Sequence, residues 1–426
     1  MHDLTRSTGP ESAGFWTYSD TVARGLYDRP VGGLWGKYDN VRTYWEDRIT
    51  RLTMGPFVAE SDGRARAQGR KVRILDLGCG AGQAYGLLTQ IDERGLNVDE
   101  APRFVLPDDR IGLYLGVDLS LAMVEQGRRN YAELGTARFE QADLRDGLAA
   151  VVSEPPFDIY ASSYGSLSHL DAPELAHCLR DVIRHAAPGA VVVLDLVGRY
   201  SPEWPGYWRA TTDPDKVHPY SMSYLYQDGQ NREVERFPLR FWTGEEIRDL
   251  CVQLAAGTGA AIEPVAIVDR SIFVGRHVDT REYGCRLPPL RSLVNRLYEQ
   301  NVRTSLEELR VDHRLPSPNE TVERLFGTLT ESWNRVIDFT IARLSCGHLD
   351  PAALDGWRSC PPALQEALMT MDRVVGSASV IDVGDTRANV VEPQLAYVLQ
   401  RLEHTLQEGL GCGHGLLAVL RVGPAG

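Results

Sequence analysis

The stretch Ile74-Leu75-Asp76-Leu77-Gly78-Cys79-Gly80-Ala81-Gly82 decides the fold. It runs from an apolar strand through an acid into a glycine-rich turn, and Ala84, Leu87, Leu88 and Ile91 follow at the i, i+3, i+4, i+7 spacing of one buried helical face. A strand, a glycine turn and a helix in that order open a βαβ unit. Glycine in such a turn permits left-handed dihedrals and lets a ligand come close to the backbone, while the helix start presents unpaired N–H groups.

Working outward, short β-rich runs alternate with amphipathic stretches. The expected strands are Val72 to Leu77, Leu113 to Val117, Ala137 to Gln141, Asp158 to Ala161 and Ala190 to Val197, with a sixth from Ile262 to Val268 after a helix over Gly244 to Ala256. The fold class is therefore α/β, a doubly wound and mostly parallel seven-stranded sheet. Residues 277–411 read as helices with proline breaks, and a clear strand returns at Leu416 to Val422. The seventh strand is placed there, which makes 277–411 a helical insertion serving as substrate cover or dimer surface; the alternative places it at Ser271 to Gly275. Before the sheet, Asn40 to Leu52 has helical spacing, and Glu60 to Arg70 reads as a linker. The expected units are thus 1–70 (cap and linker), 71–276 (catalytic domain), 277–411 (insertion) and 412–426 (last strand).

Composition narrows the function. A net charge of −13 disfavours phosphate backbones and anionic membranes as partners. The N-terminal segment lacks an apolar signal stretch, and no run of about 18 apolar residues occurs, so the expectation is a cytoplasmic protein. Seven cysteines without a CxxC pair, and histidines without an HExxH, argue against disulfides, zinc knuckles and a protein-held metal.

The glycine spacing is GxGxG, with Gln83 where a dinucleotide fingerprint needs its third glycine. The second strand ends in Asp118, and a carboxylate at that tip can accept hydrogen bonds from both ribose hydroxyls of an adenosine. The interval from Gly82 to Asp118 is longer than usual, which an inserted loop over residues 95–110 explains. Ser120 is a plausible N-cap for the next helix.

Together these features resemble the class I S-adenosylmethionine-dependent methyltransferases of small-molecule type. The resemblance covers about residues 71–197. It implies a Rossmann-like fold with S-adenosylmethionine as cofactor and S-adenosylhomocysteine as product. Asp76, Gly78, Cys79, Gly80 and Gly82 match the first motif, with Asp118, Leu119 and Met123 in the second. Asp143 with Leu144 follows the third strand and corresponds to the acid that meets the adenine amino group. The segment after the fourth strand, with Ser163, Tyr164 and His169, lines the reaction centre in such enzymes.

Transfer of a methyl group from a sulfonium is an in-line displacement, for which the protein supplies orientation and, for some acceptors, a base. His169 is the expected base and Tyr164 the second candidate. The aromatic loop from Tyr200 to Tyr226 follows the fifth strand on the carboxyl edge; Trp204, Tyr207 and Trp208 are its expected substrate contacts. The expected partner is a small-molecule acceptor of specialised metabolism, methylated on O, N or C, with a homodimer also possible. The alternatives are a nicotinamide oxidoreductase, which Gln83 opposes, and an S-adenosylmethionine-binding protein that does not methylate.

Overall fold

A computed structural model describes residues 18–28, 37–93, 100–101, 103–208, 216–222, 236–312 and 319–425. Among the described residues, α1 (Ser19–Ala23) comes first, and a π-helical turn over Arg42–Glu46 leads directly into α2 (Asp47–Ala67). The turn widens the helix where Arg42, Trp45 and Glu46 are buried, a distortion common where helices serve a site.

β1 (Val72–Leu77) and α3 (Gln83–Thr89) form the first half of the winding, and β2 (Ile111–Asp118) with α4 (Leu121–Asn130) the next. β3 (Ala137–Gln141), β4 (Ile159–Ser162), α5 (Ala172–His185) and β5 (Val191–Gly198) complete the parallel part. A two-stranded ribbon, β6 (His218–Tyr220) with β7 (Phe237–Leu239), and a short β8 (Phe241–Trp242) precede α6 (Gly244–Thr258) and β9 (Ala260–Arg270). Among the described residues four α-helices follow: α7 (Leu290–Leu297), α8 (Glu320–Cys346), α9 (Pro362–Ala378) and α10 (Glu392–Leu406). The chain then returns as β10 (Gly415–Ala425).

The sheet order is β3-β2-β1-β4-β5-β10-β9, with β8 beside the end of β5. β10 lies antiparallel between β5 and β9, pairing Leu417 with both Asp195 and Val268. The doubly wound, mostly parallel sheet expected from the sequence is present, with β8 as an added short strand. Residues 271–275 form no strand and bury Ile272, Phe273 and Val274 against the helices instead. β5 is buried along its whole length, as a strand covered on both faces must be.

Two apolar clusters flank the sheet, and a third unites the π turn, the segment after β9 and helices α7 to α10 around Trp45, Phe273, Trp333 and Leu395. The C-terminal helices therefore share a core with the N-terminal cap. One sequence expectation needs correction here: of the linker expected over Glu60 to Arg70, Glu60 to Ala67 are the last turns of α2. Ser61, Asp62 and Ala65 face inward, and Asp62 accepts hydrogen bonds from Arg66 at 2.5 Å and from Arg110 at 2.9 Å. Among the described residues no helix is long and apolar enough to cross a membrane, and no cluster of three potential metal ligands occurs.

Candidate active site

A cavity of about 470 Å³ opens on the carboxyl edge of the parallel strands. That volume falls within the range of small-ligand sites, roughly 300–1,000 Å³. One end is built by the glycine loop and the tips of β2 and β3. Gly78 and Cys79 donate their N–H groups to Val117 O at 2.9 and 3.0 Å, which pins the loop across to β2. Gly80 donates to Asp118 Oδ2 at 2.8 Å, and Ser120 donates to Asp118 Oδ1 at 2.8 Å, so the carboxylate is held in a fixed plane at the cavity wall. Burial raises the Asp118 carboxyl, and these two backbone bonds oppose the shift. Ser120 caps α4 by accepting from Met123 N at 3.3 Å, as its position in the sequence suggests.

The glycines divide by role. An added Cβ at Gly78 would stand 2.7 Å from Ser166 Cβ, and one at Gly82 would stand 2.4 Å from the Tyr131 ring, both at positive φ. At Gly80 it would meet only Gln83 Oε1, at 3.0 Å, and Gly80 lines the cavity. Packing thus demands Gly78 and Gly82, while Gly80 leaves open room for a ligand against the backbone.

Gly78, Cys79, Gly80, Asp118, Leu119, Met123, Asp143, Leu144, Ser163, Tyr164 and His169 all line the cavity. Asp76 and Gly82, expected at the cofactor, do not line it. Asp76 is wholly buried under the loop, bonded to the Tyr114 hydroxyl, and burial pushes its carboxyl up to about 7. Asp143 carries Arg145 on its outer side at 2.9 Å; burial raises its carboxyl, but the Arg145 bonds prevail and hold it below the usual range.

His169 also sits differently from the expectation for a free base. Its Nε2 lies 2.7 Å from the Tyr18 hydroxyl, its ring packs edge-on against Phe237, and burial drives its pKa down to about 4 against a hydrogen bond to the Pro238 backbone. Tyr164 donates its hydroxyl to Asp47 Oδ1 at 3.0 Å, under the Arg42 guanidinium at 3.7 Å from the ring centre. Burial raises its phenol well above 10, so Tyr164 stays protonated.

The aromatic loop gives the largest correction. Trp204 and Trp208 are buried with their indole N–H groups on Gly198 O and Ser201 O at 2.9 and 2.8 Å, and Tyr207 donates to Pro219 O at 3.0 Å. None of the three reaches the cavity; large apolar rings whose polar atoms find backbone partners pack a core. Tyr220 does line it, and Tyr224 and Tyr226 lie outside the described residues.

What fills the far end is charged. Lys37, Arg42 and Glu46 from the cap meet Asp195, Arg270, Arg276 and His414 from the sheet edge. Arg270 grips Asp195 at 2.8 and 3.0 Å, Arg276 holds Glu46 at 2.9 Å, and Arg291 behind them bridges Asp39 and Glu46. The Lys37 ammonium sits 3.1 Å above the Tyr27 ring centre, and burial, then Arg42 and Arg276, lower its pKa well below the usual lysine value. These residues come from segments far apart in the chain, and no local pattern announces them.

Residues 108–189 match the family profile described as a methyltransferase domain. Over that segment the chain is similar to a methyltransferase domain. That match begins beyond the glycine loop and runs from the approach to β2 to the turn before β5, with Asp118 and Asp143 inside it. No curated protein sequence matches the chain. Among solved structures, the CcbJ methyltransferase from Streptomyces caelestis is 17% identical over 60% of this chain and 90% of its own, with a TM-score of 0.37. An S-adenosylmethionine-dependent methyltransferase from Clostridium acetobutylicum is 14% identical, over 59% and 90% of the two chains, with a TM-score of 0.34. One from Mesorhizobium loti is 19% identical, over 46% and 77%, with a TM-score of 0.28. Likeness this partial bears on neither substrate nor mechanism.

Proposed function

We propose that this enzyme transfers the methyl group of S-adenosylmethionine to a heteroatom of a small, polar acceptor. The observation that carries the reading is the continuity of one cavity: the glycine loop and Asp118 stand at one end, the buried charged cluster at the other. The wall residues fit the cofactor, because Gly80 leaves an open cradle and Asp118 is fixed at the wall as a ribose acceptor. Asp118 holds the ribose, Asp143 the adenine amino group, and Leu119, Met123 and Leu144 its apolar faces. When bound there, the cofactor supplies an electrophilic methyl group on a sulfonium.

The chain's own part is placement and exclusion of water. Tyr18, Lys37, Arg42 and Glu46 from the N-terminal cap close over the sheet edge, which suits a small acceptor rather than a macromolecule. Holding two reactants in line converts a bimolecular encounter into a unimolecular step, worth about 7–11 kcal/mol in well-aligned cases. His169, neutral across the physiological range, orients the roof through Tyr18.

The test is incubation of the protein with methyl-labelled S-adenosylmethionine and a fractionated extract of small metabolites. Label should pass into a low-molecular-mass fraction. Label found only in protein or nucleic acid would overturn the reading.

A further inference from the structure

His414 stands at the entry of β10, on the cavity wall next to Gly415, and its Nδ1 lies 2.8 Å from Glu203 Oε2. Glu203 is fully buried, lies outside the cavity lining, and is saturated on its other sides by Ser201 Oγ at 3.0 Å and by the His277 backbone N–H. Gly275 passes so close that an added Cβ would stand 2.3 Å from the carboxylate, so the backbone is shaped around this acid. His414 and His277 hold the Glu203 carboxyl below its usual range despite burial, which keeps it ionised.

An ionised carboxylate only accepts hydrogen bonds, so His414 must carry its proton on Nδ1. The opposite nitrogen, Nε2, then carries the lone pair of a ring that lines the cavity, and no hydrogen bond from a described residue reaches it. We propose that His414 is the general base of the transfer, with Glu203 a positioning residue that fixes its tautomer. This inference rests on the methyltransferase reading and narrows it to acceptors bearing an O–H or N–H. In the step, the acceptor's oxygen or nitrogen forms a bond to the methyl carbon as the carbon–sulfur bond breaks. The electron pair of that bond stays on sulfur as a neutral thioether, and the acceptor's proton passes to His414 Nε2. The imidazolium so formed is stabilised by the Glu203 carboxylate. His169 is the poorer candidate, because its Nε2 is engaged by Tyr18.

The other titratable and charged groups near His414 are Tyr220 from the ribbon, His277 from the segment after β9, Glu46 from the π turn and Arg270 beside Gly415, and the Trp204 ring packs against it at 5.6 Å. None of them bonds to its Nε2 among the described residues.

The experiment uses the full chain with ¹⁵N-labelled histidine. Two-bond ¹H–¹⁵N spectra of the wild type at neutral pH should show His414 as the Nδ1–H tautomer, with His414→Gln giving the assignment. Glu203→Gln should populate the Nε2–H tautomer of His414, because a neutral amide can donate as well as accept. In the labelling assay, His414→Gln and His414→Ala should lose about 100-fold or more in rate. Their affinity for S-adenosylhomocysteine should stay within about twofold of wild type, which also reports an intact fold. An Nε2–H tautomer in the wild type, an unchanged tautomer in Glu203→Gln, or wild-type labelling by His414→Gln overturns the proposal. A wild type that neither binds S-adenosylhomocysteine nor transfers label overturns the methyltransferase reading instead. The spectra decide the role of His414 whether or not the extract contains the acceptor.

Discussion

Arg270 grips Asp195 with one guanidinium nitrogen, 2.8 and 3.0 Å from the two carboxylate oxygens, between two strands that β10 separates. The pair fits because the residue between them is Gly415: a Cβ there would stand 2.7 Å from the guanidinium and 3.0 Å from the carboxylate. Asp195 also accepts the backbone N–H of Tyr164 at 2.7 Å, a residue held at φ +56° on the cavity wall. The pair therefore joins the centre of the sheet to the site.

Asp195→Ala should consequently destabilise the protein by about 3–5 kcal/mol, because it leaves Arg270 buried without its counter-charge and frees the strained turn at Tyr164. Urea denaturation checks this. A loss below about 1 kcal/mol would show that Thr50, the other partner of Arg270, suffices.

The share of the stability set by Asp76 and Glu403 should fall as pH rises from about 4 to 7. Burial lifts the carboxyls of Asp76 and Glu403 to about 7 in the folded protein, whereas in the unfolded chain they lose their protons near 4. Their contribution is fully present below the unfolded value and is lost as pH climbs through the folded one, on the order of 4 kcal/mol for each over three pH units. Asp76→Asn should flatten the slope over that interval in urea titrations. An unchanged slope would mean that Asp76 is ionised in the fold.

His169 behaves oppositely. Its pKa is depressed to about 4 from an unfolded value near 6.5, so the stability it contributes is present above 6.5 and lost as pH falls toward 4. Its ring carbon resonance should stay constant from pH 8 to about 5.5. A midpoint near 6.5 would show a solvated imidazole and restore it as a candidate for the acid limb of the rate profile.

Trp204→Ala should cost about 3–5 kcal/mol through the lost packing and leave the indole's backbone partner unpaired. At a temperature where the variant is folded, its affinity for S-adenosylhomocysteine should match wild type. A selective loss of acceptor turnover at unchanged stability would instead place Trp204 in the substrate wall.

The sheet and the cofactor end of the site are legible in the sequence because each is local. Period-two and period-3.6 patterns fix β1 and α3, and the turn between them holds Gly78, Gly80 and Gly82 within five residues. The end of α2 was not legible: Ser61, Asp62 and Ala65 look like polar linker until Arg110, distant in the chain, arrives to pair with Asp62. The aromatic loop misleads for a related reason. A run of rings after a carboxyl-edge strand suits a pocket or a core equally well, and only the backbone partners of Trp204 and Trp208 decide between them. The charged end of the cavity is the hardest to read. Lys37, Arg42, Glu203, Arg270 and His414 gain meaning only from contacts such as His414 with Glu203, 211 positions apart.

The most direct test of the account is calorimetric titration of S-adenosylhomocysteine into wild type and Asp118→Ala. The wild type should bind it with micromolar affinity. In the variant, loss of hydrogen bonds to a charged acceptor, worth about 1.5–3 kcal/mol, should weaken binding roughly 10- to 150-fold. No heat with S-adenosylhomocysteine but clear binding of NAD, or an identical dissociation constant in a folded Asp118→Ala, would contradict it.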